Sequence, residues 1–177
     1  MTVFESSIAW LPSRRLSNVL GFAACVLGML FAVLILQGYL ELEPCPLCIF
    51  QRVAMIGMAA VFLLAALHNP RDWGARIYGT LILLVAGGGA AIAARQSWLQ
   101  HLPADQVPAC GPDLDYMLDV FPLFETLRIV LTGTGDCAEV KWTFLSLSIP
   151  EWTLVLFVVL GITGALRNWM KETNAQA

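Results

Sequence analysis

Five cysteines are the residues of this 177-residue chain best suited to chemistry. Cys45 and Cys48 form a C-x-x-C pair, Cys110 and Cys137 stand far downstream, and Cys25 lies alone in an apolar run. A bridge within C-x-x-C closes too small a loop to stabilise a fold much, and such pairs are typically redox-active. Pro44 and Pro46 bracket Cys45, and Pro46 suits the first position of a helix, where its missing N–H costs nothing. Cys48 then falls in the first turn, where unpaired backbone N–H groups and the helix dipole favour a thiolate. Arg52 is four residues on, so it shares that helix face one turn deeper. The arrangement offers thiol–disulfide chemistry, with Arg52 stabilising a Cys48 thiolate or an anionic ligand beside it.

Other chemistries fit the same residues less well. Zinc sites use C-x-x-C spacing too, and Cys45, Cys48, Cys110 and Cys137 could supply four ligands. Such a site usually wants two tight pairs, whereas Cys110 and Cys137 are 27 positions apart. Two structural disulfides are a second possibility, since four cysteines pair in three ways. Arg52 could simply snorkel to lipid headgroups. Cys25 reads as a small buried hydrophobe with no reactive role.

The elements that position these residues are membrane spans. The chain is 58% hydrophobic and 13% charged, against about 25% charged in soluble domains. Ten basic residues against thirteen acidic ones make no cationic surface, so nucleic acid is excluded as a partner, as are disorder and a coiled coil. Val19 to Leu36 and Ile77 to Ala94 are uncharged runs of eighteen residues, while Val53 to Leu67 and Trp152 to Leu166 add fifteen each. A bilayer core needs about 20 predominantly apolar residues per helix. Four transmembrane helices follow, over about residues 17–37, 46–67, 75–95 and 151–169, in one integral membrane domain covering 1–177. The first run is too long for a signal-peptide core, and no cleavage site follows it before Glu41.

Charge sets the orientation. Arg14, Arg15, Arg71, Arg76, Arg167 and Lys171 lie at the termini and the short 67–76 connection, while ten acids from Glu41 through Glu151 crowd the other side. Basic short loops stay cytoplasmic, so both termini should face in and the loops at about 38–45 and 96–150 should face out. Four of the five cysteines then stand on what is, in a bacterium, the oxidising side. The six tryptophans near span ends fit an aromatic belt. Gly28, Gly57, Gly87, Gly88, Gly89 and Gly161 fall inside spans, where small residues admit close helix packing.

The long outer loop contains one more element. Tyr116 to Leu131 sets Met117, Leu118, Phe121, Phe124, Leu127 and Leu131 at helical spacing, with Asp119, Glu125 and Arg128 elsewhere. It is too charged to span and suits an interfacial helix on the outer membrane surface. Pro122 predicts a kink or two pieces.

Taken together, CPLCIFQR at 45–52, Cys110 in the outer loop, GDCAE at 135–139 and the Trp142-to-Trp152 segment leading into the last span resemble the DsbB family of bacterial inner-membrane disulfide bond formation proteins. The resemblance covers nearly the whole chain. It implies an all-α fold, a four-transmembrane-helix bundle with a long periplasmic loop, and a quinone-dependent oxidase that generates protein disulfides. Cys110 and Cys137 would form the disulfide that oxidises a periplasmic thioredoxin-fold partner resembling DsbA, with Cys110 taking the mixed disulfide. Cys137 would exchange with Cys45, leaving Cys48 as the thiolate that meets ubiquinone or menaquinone, and Arg52 would hold the quinone and the Cys48 charge. No metal is implied.

A known value makes the resemblance reasonable: DsbA itself stands near about −120 mV, among the most oxidising of dithiols, so a protein dithiol alone would struggle to reoxidise it. Quinone supplies the drive and is a lipid, which accounts for a C-x-x-C at a membrane surface. The chain departs from some family members at the outer end of the third span. They carry a histidine there, where this sequence reads Arg95-Gln96-Ser97, and no quinone contact is assigned to Gln96. Two rivals are a vitamin K epoxide reductase relative, whose C-x-x-C would not open the second span, and a non-enzymatic membrane scaffold stabilised by disulfides.

Overall fold

The computed structural model describes residues 12–103, 105–109 and 114–170. Helix α1, Arg14–Leu30, starts where the Ser13 hydroxyl accepts the Leu16 N–H at 3.3 Å. It continues without a break as a wider π-helical stretch, Phe31–Tyr39. Helix α2, Pro46–His68, begins as the sequence predicts, with Cys45 as its N-cap and Pro46 at its first position. It stops at Asn69 in the left-handed conformation, which Asn tolerates better than most residues. Helix α3, Trp73–Gln100, is followed by short helices α4 (Leu114–Val120), α5 (Leu123–Thr132) and α6 (Gly135–Ala138). An antiparallel hairpin pairs Thr143 with Ser148 and Phe144 with Leu147. Helix α7, Ile149–Trp169, is the last described helix. Its first turn is fastened by the Glu151 carboxylate, which accepts the Ser148 N–H at 2.6 Å and the Ser148 hydroxyl at 3.0 Å.

Among the described residues, four helices are long and apolar enough to cross a membrane: α1 with its extension (Arg14–Tyr39), α2, α3 and α7. They form a bundle in which α1 packs on α2, α2 on α3, α3 on α7, and α7 closes back on α1. The outward faces carry exposed Leu27, Val53, Leu67, Leu84 and Leu166, the pattern of a surface whose solvent is lipid tails. The protein is an all-α, multi-pass membrane protein.

Inside, Cys25, Met55, Met58, Phe62, Ile82, Ala86 and Phe157 make the bundle core. The Phe62 ring fits because α1 and α7 present Gly21 and Gly164 to it, and a Cβ on either would overlap its ring atoms. Phe157 lies on Gly89 in the same way. Gly87 and Gly88, expected to serve close packing, meet nothing within 4 Å. At the end of the bundle opposite the C-x-x-C, Asn18 and Asn168 exchange side-chain amide hydrogen bonds at 3.2 and 2.9 Å, both fully buried. Buried Arg14 donates there to the carbonyls of Pro70 and Met170, and Arg167 to that of Pro12.

The loop helix is broken where Pro122 predicts, into α4 and α5, and Thr126 Oγ1 bridges the two by donating to the Met117 carbonyl at 3.0 Å. Its residues divide between two faces. Met117, Thr126 and Val130 are buried, whereas Phe124, Leu127 and Leu131 are exposed. Met117 and Val130 pack with Cys45, Leu47, Leu99 and Cys137, so the loop forms an apolar cover over the sulfurs.

Candidate functional site

Three of the four cysteines expected to act converge at the start of α2. Cys45 Sγ lies 2.9 Å from Cys48 Sγ and accepts the Cys48 N–H at 3.4 Å, as an N-cap side chain does. Cys137 arrives from α6, a single turn set up by Gly133 and Thr134, with its sulfur 3.7 Å from the Thr134 hydroxyl, and it packs in one buried cluster with Cys45. Gly133 has φ +87° and lies against Leu99, where a Cβ would overlap the leucine side chain. Glycine is therefore needed at this turn. Cys110, the fourth expected cysteine, lies outside the described residues.

The electrostatics distinguish the sulfurs outside the span. Cys137 is held down to about 6, below the ordinary thiol range, chiefly because Cys45 donates to it. The Leu47 N–H, in the first turn of α2, adds a second donor, and burial opposes both. Cys45 is pushed strongly upward by its hydrogen bonds to Cys137 and Cys48 and by burial, so it keeps its proton. Cys137 is thus the better nucleophile and Cys45 the sulfur it faces.

Cys48 is half-buried and opens on a cavity of about 130 Å³. The walls are apolar along the bundle: Gly28, Met29, Ala32 and Leu36 from α1 and its extension, Met55 from α2, Leu156 from α7. Polar groups gather near the sulfur, namely Arg52, Gln51 and Gln96. Trp142 stands at the loop side, stacked on Phe144 with centroids 6.0 Å apart.

Arg52 shares this cavity with Cys48, but its terminal nitrogens point to α1. Nη1 donates to Gln37 Oε1 at 2.7 Å and Nη2 to the Ala32 carbonyl at 3.5 Å. The polar side chain against the sulfurs is Gln96, whose Nε2 lies 3.2 Å from Cys48 Sγ and 3.3 Å from Cys45 Sγ. Sequence reasoning left Gln96 out. A signal for it existed, because Gln96 is a polar residue less than two turns inside the end of a membrane helix. The third helix also runs on to Gln100, and His101 follows as its C-cap. His101 is exposed, donates Nδ1–H to the Ser97 carbonyl at 2.8 Å and lies 3.8 Å from Glu151. Cys25, fully buried in the bundle core, takes no part in this cluster.

Comparison with known proteins gives the family. The family model described as "Disulfide bond formation protein DsbB" matches residues 14–166. The chain belongs to the DsbB family. Among curated relatives named "Disulfide bond formation protein B", that of Marinobacter nauticus is 54% identical over 84% of this chain and 89% of its own length. That of Hahella chejuensis is 55% identical over 85% and 90%, and that of Methylococcus capsulatus 51% identical over 92% and 98%. As a DsbB family member the protein is a thiol oxidoreductase of disulfide bond formation.

Proposed function

We propose that this DsbB family protein reoxidises a DsbA-like thioredoxin-fold dithiol and passes the electrons to ubiquinone or menaquinone. The observation that carries the reading is the row of sulfurs from Cys137 through Cys45 to Cys48, which ends on an apolar cavity beside Arg52. Cys110 and Cys137 form the disulfide that the partner attacks, at Cys110. Cys137 is released as a thiolate, which the Leu47 and Thr134 amides still favour once Cys45 has no proton to give, and attacks Cys45 of a Cys45–Cys48 disulfide. A Cys45–Cys137 bond forms, the Cys45–Cys48 bond breaks, and its electron pair leaves on Cys48.

The residues around Cys48 fit a quinone by the chemistry of their donors. The apolar wall from α1, α2 and α7 suits an isoprenoid-bearing ring, and the Arg52 guanidinium suits a ring oxygen or the charge beside it. The chemistry a quinone supplies when bound is two-electron oxidation. Arg52 and the cavity walls would hold it beside Cys48, and Gln37 fixes the Arg52 guanidinium at 2.7 Å. The whole chain acts as one integral membrane domain of the bacterial inner membrane, with cytoplasmic termini and the 96–150 loop in the periplasm. The exposed Phe124, Leu127 and Leu131 of α5 support seating that loop on the membrane surface.

The test is purification in detergent, addition of a reduced DsbA-like partner and a soluble quinone, and measurement of quinone absorbance. Wild type is expected to turn over, Cys48→Ser to abolish turnover, and Arg52→Ala to slow it by about tenfold or more, the scale of losing a hydrogen bond to a charged group. No quinone consumption by folded wild-type protein with any thioredoxin-like dithiol would sink the reading.

A further inference from the structure

Gln96 is buried on α3 and aimed from both of its ends. Gln51, also buried, donates Nε2–H to Gln96 Oε1 at 2.7 Å, an oxygen that the protonated Cys48 thiol also reaches at 3.6 Å, and this holds Nε2 towards the sulfurs. An amide nitrogen carries two N–H donors and no acceptor, and two sulfurs stand 3.2 and 3.3 Å away to receive them. Arg52, the nearby cation, directs its terminal nitrogens to Gln37 and the Ala32 carbonyl instead.

We infer that Gln96 is a catalytic donor of the exchange step, its Nε2–H groups stabilising the thiolate that leaves on Cys48, with Gln51 as its positioning residue. The inference rests on the exchange between Cys137 and Cys45 proposed above. In that step the Cys137 thiolate bonds to Cys45 Sγ and the electron pair of the Cys45–Cys48 bond departs on Cys48 Sγ. No proton moves and no net oxidation occurs, but negative charge travels from Cys137 to Cys48. The charge therefore appears in a half-buried site, where a preorganised donor acts more strongly than it would in water. Gln51 ensures that the amide presents nitrogen rather than oxygen when this happens.

A tie between α2 and α3 is the other role such a pair could have, and an isosteric change separates the two. Gln96→Glu keeps an oxygen to accept from Gln51 and, as the carboxylate, removes both donors to sulfur. Gln96→Met removes donors and tie together while conserving volume. The full-length protein in detergent, with Cys110→Ser and Cys25→Ala so that three thiols share one disulfide, is alkylated at pH 7. Peptide mass then gives the ratio of Cys45–Cys137 to Cys45–Cys48. Gln96→Glu is expected to lower that ratio by at least about tenfold, Gln96→Met by less, and Gln51→Leu by a few-fold. A tie alone predicts the reverse order, with Gln96→Glu near wild type and the other two impaired. A ratio unchanged in Gln96→Glu, where wild type does exchange, overturns the role of Gln96. Wild type lacking any Cys45–Cys137 bond overturns the exchange itself. Should Gln96→Glu not fold, Gln96→Met decides, with the rate of Cys48 alkylation in the reduced protein as second readout. An unchanged rate and ratio there would also defeat the inference.

Discussion

Cys137 receives hydrogen bonds from the Cys45 thiol and the Leu47 and Thr134 amides while burial pulls the other way, and the donors win. With its pKa at about 6, Cys137 is mostly thiolate at neutral pH, whereas an ordinary thiol near 8.5 is mostly protonated there. The sign follows directly. Reactivity is present above the folded pKa and falls away as pH drops through it, by about tenfold per unit once below. Alkylation of Cys137 in the reduced protein, followed by peptide mass from pH 4 to 9, is expected to be flat above about pH 7 and half-maximal near pH 6. Cys45→Ala removes the first of the donors and should move the midpoint upward. A midpoint near 8.5 in the unmutated protein would show that the donors do not reach the sulfur.

At the scale of elements, the site is a helix N-terminus with a second short helix brought against it, and Gly133 determines whether the two meet. Its φ of +87° and ψ of 145° place it where alanine costs about 1–3 kcal/mol, and the added Cβ would press on Leu99. Gly133→Ala is expected to lower the thermal unfolding midpoint and to reduce the share of Cys45–Cys137 disulfide. An unaffected share would mean that α6 is positioned by something else. The start of α2 was legible because everything that makes it, Pro46, the N-cap Cys45 and the apolar run behind, lies within a few residues. The break at Pro122 was legible for the same reason. Gln96 and Gln51 were not, because they sit 45 positions apart and each alone reads as a tolerated polar residue in an apolar span. Which face of α5 turns inward was also hidden. Phe124, Leu127 and Leu131 form as good an apolar stripe as Met117 and Val130, and lipid outside the bundle removes the usual rule that the stripe faces in.

Across the whole molecule, chemistry is gathered at one end and fastening at the other. The sulfurs, Arg52 and Gln96 lie at the C-x-x-C end, while the Asn18–Asn168 amide pair ties α1 to α7 at the opposite end. These helices otherwise close the bundle weakly, since α7 packs chiefly on α3. Replacing Asn168 strands the buried Asn18 amide, whereas Asn168 would keep the Gly164 carbonyl at 2.8 Å if Asn18 were replaced. Asn168→Leu is therefore expected to destabilise the bundle by about 1–2 kcal/mol, at the upper end for interhelical hydrogen bonds in membranes. Asn18→Leu with Asn168→Leu should cost less than the sum of the singles, because no orphaned amide remains. Cys25 supplies a reporter, being fully buried among Met55, Phe62 and Phe157 and distant in sequence from the reacting sulfurs. A membrane-permeant maleimide should label Cys25 roughly tenfold faster in Asn168→Leu if opening of the bundle rises with the lost stability, about 1.4 kcal/mol per decade. The Cys45–Cys137 share at the other end should stay near wild type below the unfolding transition, because no side chain of the pair reaches the sulfurs. Loss of exchange with no change in Cys25 labelling would reverse this, and would show that the position of α1, carrying Ala32 and Gln37 to Arg52, is transmitted along the bundle to the site.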